Sequence, residues 1–242
     1  MSFFKFLITI VLLSVFSACQ DNKTQKTTKK EIPTPAVKNS PAEKVVIPGQ
    51  KERDFDFSKI KTLSQEDLKP FLRKYGKENP ETKVRIKTDF GNIVVQLFSD
   101  TPLHRANFIH LVKLGYFNST FFHRVDEGFV IQGGNSDKVF TQKIRAKVGD
   151  FLIPNEASPR HPHDRGTVSM AKYRKQNISD ASSPFEFFIV QSKNGAHHLD
   201  GEHTVFGKVI EGMNVVDSIN KVPTDDLEWP LRNVYMEIEI IE

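Results

Sequence analysis

"FFHRVDEGFVIQGG", residues Phe121–Gly134, sets a histidine and an arginine inside an apolar run and closes on two glycines. A strand with one buried face alternates apolar and polar residues. Here the alternation is loose, and the permanently charged Arg124 stands among Phe121, Phe122, Val125 and Phe129. Taken alone, an arginine beside aromatics is a solvated strand face or a cation–π contact. The rest of the chain decides what it does.

Upstream, "KVRIKT" alternates, "DFGN" turns and "IVVQLF" follows, which is the signature of a β-hairpin starting at Lys83. "TPLHRANFIHLVKLG" reads as a helix with Thr101 as N-cap, Pro102 at its first position and Gly115 at its end. Its apolar residues spread around most of the circumference, so the helix is expected to be well covered. Further strands are expected at 128–133, 166–170, 185–190 and 204–210. A second helix is expected at 212–220, and a last strand at 233–241, where Val234, Met236, Ile238 and Ile240 alternate with polar residues. Many short strands with one helix near each end predict a mainly β fold, a closed antiparallel barrel with helical caps.

Before this domain, "SQEDLKPFLRKYG" (64–76) reads as a short helical piece capped by Ser64 and stopped by Gly76, with Pro70 counting against it. Residues 20–57 are polar, rich in Lys, Thr and Pro, and lack a sustained apolar period, as expected of a disordered linker. About 35 flexible residues have a root-mean-square span of ~30–35 Å. Residues 1–19, "MSFFKFLITIVLLSVFSAC", carry one lysine, an apolar core from Phe6 to Phe16 and small residues before Cys19. That core is shorter than the ~20 residues of a spanning helix and reads as a secretory signal. The domain plan is thus 1–19 signal peptide, 20–57 linker, 58–81 helical extension and 82–242 globular domain.

The net charge of +4 does not point to nucleic acid. Residues 20–51 hold seven lysines against Asp21, Glu31 and Glu43, and Lys5 adds one more charge, which leaves the remainder close to neutral. Cys19 is the only cysteine, so no intramolecular disulfide forms. "FSAC" resembles the lipobox of bacterial lipoproteins, in which the cysteine is acylated and becomes the mature N-terminus; Phe16 departs from the usual leucine. That resemblance implies a chain held at a membrane of the bacterial cell envelope through an N-terminal lipid, on the periplasmic side.

Residues 83–242 resemble the cyclophilins, a family of peptidyl-prolyl cis/trans isomerases. The likeness rests on an ordered set of motifs: "GNIVVQLF", "TPLHRANFIHLVKLGYFNSTFFHRV", "GFVIQGG", "GTVSMA", "FEFFIV" and "LDGEHTVFGKV". It implies an eight-stranded antiparallel barrel capped by two helices. The activity it implies needs no metal and no other cofactor. Rotation about an X–Pro bond faces a barrier of ~18–20 kcal/mol set by amide resonance, and uncatalysed exchange takes tens to hundreds of seconds. A catalyst donates a hydrogen bond toward the prolyl nitrogen as that nitrogen pyramidalises, and holds the proline ring in an apolar pocket. An arginine suits the first task, being always protonated and rigidly forked.

By this resemblance Arg124 is the catalytic arginine and Gln132 the residue that orients it. Phe129, Val130, Phe188 and Leu199 line the proline pocket, His203 stands at its rim and Ala171 offers a backbone contact to the peptide. Read without the resemblance, the apolar four are plain core. "HHLDGEH" (197–203) imitates a metal cluster, but its spacing matches no standard zinc pattern. "HPHD" (161–164) reads as a surface loop.

Three departures bear on substrate choice. Glu186 replaces the family's usual glutamine, and its carboxylate is expected to reach Arg124. His198 stands where the cyclosporin-sensitive members carry tryptophan. The segment from Lys172 to Phe185 is longer than usual and charged. The implied partners are proline-containing segments of exported proteins, met by a monomer, with no nucleic acid. The alternative is a proline-peptide-binding or chaperone module with little turnover.

Overall fold

The computed structural model describes residues 56–173 and 179–242. The signal-like stretch, Cys19 and nearly all of the linker lie outside these residues. The chain runs α1 (Gln65–Glu78), β1 (Lys83–Thr88), β2 (Gly91–Leu97), α2 (Pro102–Lys113), β3 (Phe121–Asp126), β4 (Val130–Asn135) and α3 (Val139–Val148). It continues through β5 (Thr167–Met170), β6 (Phe187–Val190), β7 (Val205–Glu211), α4 (Met213–Ile219), β8 (Val234–Tyr235) and β9 (Glu237–Ile240).

All strand pairs are antiparallel, in the order β8-β3-β4-β6-β5-β7-β2-β1-β9. There are nine strands where the sequence predicts eight, because the terminal strand is broken at the fully buried Met236. Its first half pairs with β3 and its second with β1, so one short segment joins the two ends of the order and nearly closes the barrel. Phe108, Phe117, Phe122, Phe187 and Phe206 meet in the interior.

Both expected helices are present, with different terminal chemistry at the first. Thr101 makes no side-chain cap. The carboxylate of Glu156 does so instead, accepting from the Leu103 and His104 amides at 3.1 and 3.0 Å, where the helix dipole favours an anion. α1 forms as capped by Ser64, whose hydroxyl accepts from the Asp67 amide at 3.2 Å. Pro70 is tolerated because it faces water, where the carbonyl it leaves unpaired is solvated. Gly76 does not stop the helix, which runs to Glu78. A Cβ there would sit 3.1 Å from that of Ala106, so the glycine serves close packing of α1 on α2. Arg105 of α2 then donates to the terminal carbonyls of α1, at Gly76 (2.8 Å) and Asn79 (2.9 Å). Leu68 and Leu72 are fully buried there.

α3 is an element the sequence reading did not predict. Thr141, Ile144 and Val148 are its buried face. The "HPHD" segment is also less exposed than predicted: His163 is buried, its Nδ1–H donating to Asp200 at 2.7 Å.

Candidate active site

The loose alternation of "FFHRV" has a structural cause. The β3–β4 register shifts twice: Gly134 of β4 is the extra residue between Phe121 and Phe122, and His123 of β3 is the extra residue between Phe122 and Arg124. With His123 as the extra residue, Phe121, Phe122 and His123 are all buried and the half-buried Arg124 reaches the cleft. Register then lines up Arg124 with Gln132, Gln132 with Phe188, and Phe188 with Ser169, across β3, β4, β6 and β5. Gly134 makes room beside this row: at φ 96°, an added Cβ would lie 2.2 Å from the Phe185 carbonyl oxygen.

On this face lies a cleft of about 530 Å³. Arg124, Gln132, Phe129, Val130, Ala171, Glu186, Phe188, Leu199 and His203 all line it, which brings together nine residues singled out from sequence. Its floor is a separate apolar cluster, with Val130, Ala171 and Phe188 buried and Phe129 and Leu199 packed against them. Such a floor suits a small saturated ring. His203 stands edge-on to Phe188 at 5.5 Å. Its Nδ1–H donates to the Met170 carbonyl at 3.1 Å. Burial lowers its pKa, so the ring is neutral and its Nε2 is an acceptor. His198 does not line the cleft. It is exposed and stacks on the outside of Phe129, 5.4 Å between ring centres.

The charged groups are arranged differently from the expectation. Glu186 does not touch Arg124. One of its carboxylate oxygens accepts from Arg145 Nη2 of α3 at 3.0 Å. The other accepts from Gln132 Nε2 at 3.0 Å and lies 3.4 Å from His123 Nε2. Burial alone would push the Glu186 carboxyl up. The hydrogen bonds and charge of His123 and Arg145 outweigh it and bring the pKa down to about 2. Arg145 is itself fixed by the Tyr116 hydroxyl (2.8 Å) and the Gly134 carbonyl (3.1 Å).

Arg124 is held instead by two carboxylates. Its Nε donates to Glu228 at 2.5 Å and its Nη2 to Asp126 at 2.9 Å. The guanidinium also lies 6.0 Å from the Phe129 ring centre, so the cation–π reading of the isolated motif is met as well. Gln132 sits opposite Arg124 in register, yet its Nε2 donates to Glu186, and no hydrogen bond joins Gln132 to Arg124 among the described residues. Lys172, with its side chain 5% exposed, enters the wall and pairs with Asp180 at 3.0 Å. Arg145, His123, Asp126, Glu228, Lys172 and Tyr173 are the site residues that sequence reading missed. A helical spacing of Ile144 and Val148 before Gly149 is the signal that would have found α3, and with it Arg145.

A guanidinium beside a ring-sized apolar floor is an arrangement suited to holding a proline ring and donating toward its amide. The comparisons agree. Residues 83–239 match the family described as cyclophilin type peptidyl-prolyl cis-trans isomerase/CLD. A peptidyl-prolyl cis-trans isomerase of Acinetobacter baylyi is 42% identical over 147 residues, covering 59% of this chain and 74% of that protein. The peptidyl-prolyl cis-trans isomerase-like 2 of Rhizopus delemar is 40% identical over 162 residues, 66% of this chain but only 29% of that longer protein. Among solved structures, a cyclophilin type isomerase of Cryptosporidium parvum, crystallised in the presence of the dipeptide Ala-Pro, superposes with a TM-score of 0.55 at 28% identity. That match covers 66% of this chain and 99% of the other. With the barrel, the cleft and the family match in agreement, the chain belongs to the cyclophilin-type peptidyl-prolyl cis-trans isomerases.

Proposed function

We propose that this isomerase accelerates X–Pro exchange in exported proteins as they fold, working as a monomer held at a bacterial envelope membrane by lipid on Cys19. The observation that carries the catalytic part is the juxtaposition of Arg124 with the apolar floor of Phe129, Val130, Phe188 and Leu199 in one cleft. A proline ring seated on that floor presents its nitrogen to the guanidinium. As the amide twists, electron density localises on the nitrogen and the donor interaction strengthens there, while the planar ground state gains less. The Nε2 lone pair of His203 and the backbone at Ala171 orient the peptide. The membrane part is supported by the signal-like stretch, the lipobox-like "FSAC" and a polar linker long enough to hold the barrel clear of the surface.

NMR exchange or protease-coupled assay of the full chain on a short X-Pro peptide tests the catalytic reading. Arg124→Ala is expected to remove most of kcat while the far-ultraviolet dichroism stays unchanged, because the lost interaction belongs to the transition state. Equal rates in the two proteins would refute it.

A further inference from the structure

We infer that Glu228 is a positioning residue for Arg124, doing for the catalytic guanidinium what Gln132, engaged by Glu186, does not do in this chain. The inference rests on the isomerase reading above and adds a residue to it.

Three observations converge. The guanidinium is gripped on two of its three nitrogens, Nε by Glu228 and Nη2 by Asp126, which leaves Nη1 as the terminal donor without a carboxylate partner among the described residues. Two carboxylates on different nitrogens of a planar fork fix its rotation as well as its position. Glu228 also has a φ of 65°, one of only two non-glycine residues among those described with positive φ. A chain that keeps glutamate in the left-handed region, where glycine fits without strain, gains something from that side chain.

The third observation is that the loop bearing Glu228 is built as a rigid arm. The Glu228 carbonyl accepts from the amide of Val125, the neighbour of Arg124, at 2.8 Å. The Asp225 carboxylate accepts from the Leu227 and Trp229 amides, both at 2.9 Å, and Asp225 N donates to the Trp229 carbonyl. Thr224 bridges Pro230, and the Trp229 ring stands edge-on to Phe121 at 5.5 Å. A carboxylate carried on such an arm restricts the guanidinium rather than following it.

The test uses the full chain with Glu228→Gly and Glu228→Gln. Glycine suits the backbone and deletes the carboxylate. Glutamine keeps an oxygen that accepts from Nε–H. Glu228→Gly is expected to lower kcat/KM by about tenfold to a hundredfold, the range for a misplaced catalytic group, with the loss in kcat rather than KM. Glu228→Gln should stay within about threefold of wild type, since a neutral acceptor retains much of one hydrogen bond. The Arg124 Nε–Hε resonance, slowed in solvent exchange by its carboxylate partner in wild type, should become fast in Glu228→Gly and remain slow in Glu228→Gln. A Glu228→Gly protein as fast as wild type or faster, a glutamine variant as slow as the glycine one, or an unchanged Nε–Hε signal overturns the assignment. A wild-type chain inactive on every X-Pro peptide would defeat the isomerase reading instead, while the resonance still reports on the clamp.

Discussion

Replacing Arg145 by methionine should unmask the cost of keeping Glu186 ionised beside the cleft. The substitution keeps the apolar stem and removes the guanidinium that holds one carboxylate oxygen at 3.0 Å. Glu186 is 13% exposed at its side chain and has a pKa of about 2. Against an ordinary glutamate value of ~4.3, and at 1.36 kcal/mol for each pH unit, that depression corresponds to about 3 kcal/mol of stability at neutral pH. Because the folded value lies below the unfolded one, this stability is fully present above about pH 5. It is lost as pH falls toward 2. In Arg145→Met the burial that already pushes the carboxyl up meets opposition only from His123 and the Gln132 amide, so its pKa rises. The neutral-pH deficit should be about 2–4 kcal/mol, overlapping the ~3–5 kcal/mol typical of removing one partner of a buried pair.

Urea unfolding followed by the fluorescence of Trp229, the chain's single tryptophan, measures this directly. The gap between wild type and Arg145→Met should be widest near pH 7 and should narrow steadily between about pH 5 and pH 2, as Glu186 takes up its proton in the variant first. Glu186→Gln should flatten the same stretch of the wild-type profile, while Arg145 keeps the Tyr116 hydroxyl and the Gly134 carbonyl. A gap that stays constant from pH 7 to pH 3 would show that Arg145 contributes packing alone, and the electrostatic account of the wall would fall.

Leu72→Ala, far from the cleft, should destabilise the full chain by about 2–5 kcal/mol, since Leu72 is fully buried where α1 meets the core; a change below about 0.5 kcal/mol in urea unfolding would mean that α1 docks without contributing stability. Mass spectrometry of the mature N-terminus in the native host should find an acylated Cys19, and an unmodified terminus starting elsewhere would end the lipid-anchor proposal.

The strands that frame the cleft were legible because each carries a local signal: the hairpin turn at 89–92, the alternating terminal segment, the double glycine after Gln132. Register, which the sequence reading does not supply, is what places Arg124, Gln132 and Phe188 in one row. What escaped was non-local. Nothing within 224–229 says that its glutamate returns to an arginine 104 residues earlier in the chain. Nothing around Glu156 says that it caps a helix 53 residues upstream, which is why Thr101 was the natural choice. The expected Glu186–Arg124 contact failed for a related reason. Glu186 and Arg124 do line one cleft, but the competing cation, Arg145, sits on a helix that the sequence reading does not predict. Within the 161–164 loop only His163 departs from the surface reading, because a histidine between Pro162 and Asp164 looks solvated until Asp200 arrives from another loop to satisfy it.

Among the described residues, the cleft has little uncompensated charge. Arg124 faces Asp126 and Glu228, Lys172 faces Asp180, and Glu186 faces Arg145. On the proposed reading, a peptide entering it meets an apolar floor and described ionic groups that are already paired, and these groups offer little long-range attraction for a particular charge pattern. Binding then comes chiefly from the proline ring and the backbone contacts, which every X-Pro segment offers. For a folding catalyst this has a specific advantage. Tight ground-state binding would lower KM without raising kcat, and would hold a client in the cleft after exchange. In the proposed mechanism the paired arginine retains one terminal donor for an interaction that becomes strong only when the amide twists and its nitrogen acquires a lone pair. The two carboxylates thus subtract from the attraction Arg124 has for any planar peptide and subtract less from what it gives the twisted one, because the directed hydrogen bond depends on orientation more than on net charge.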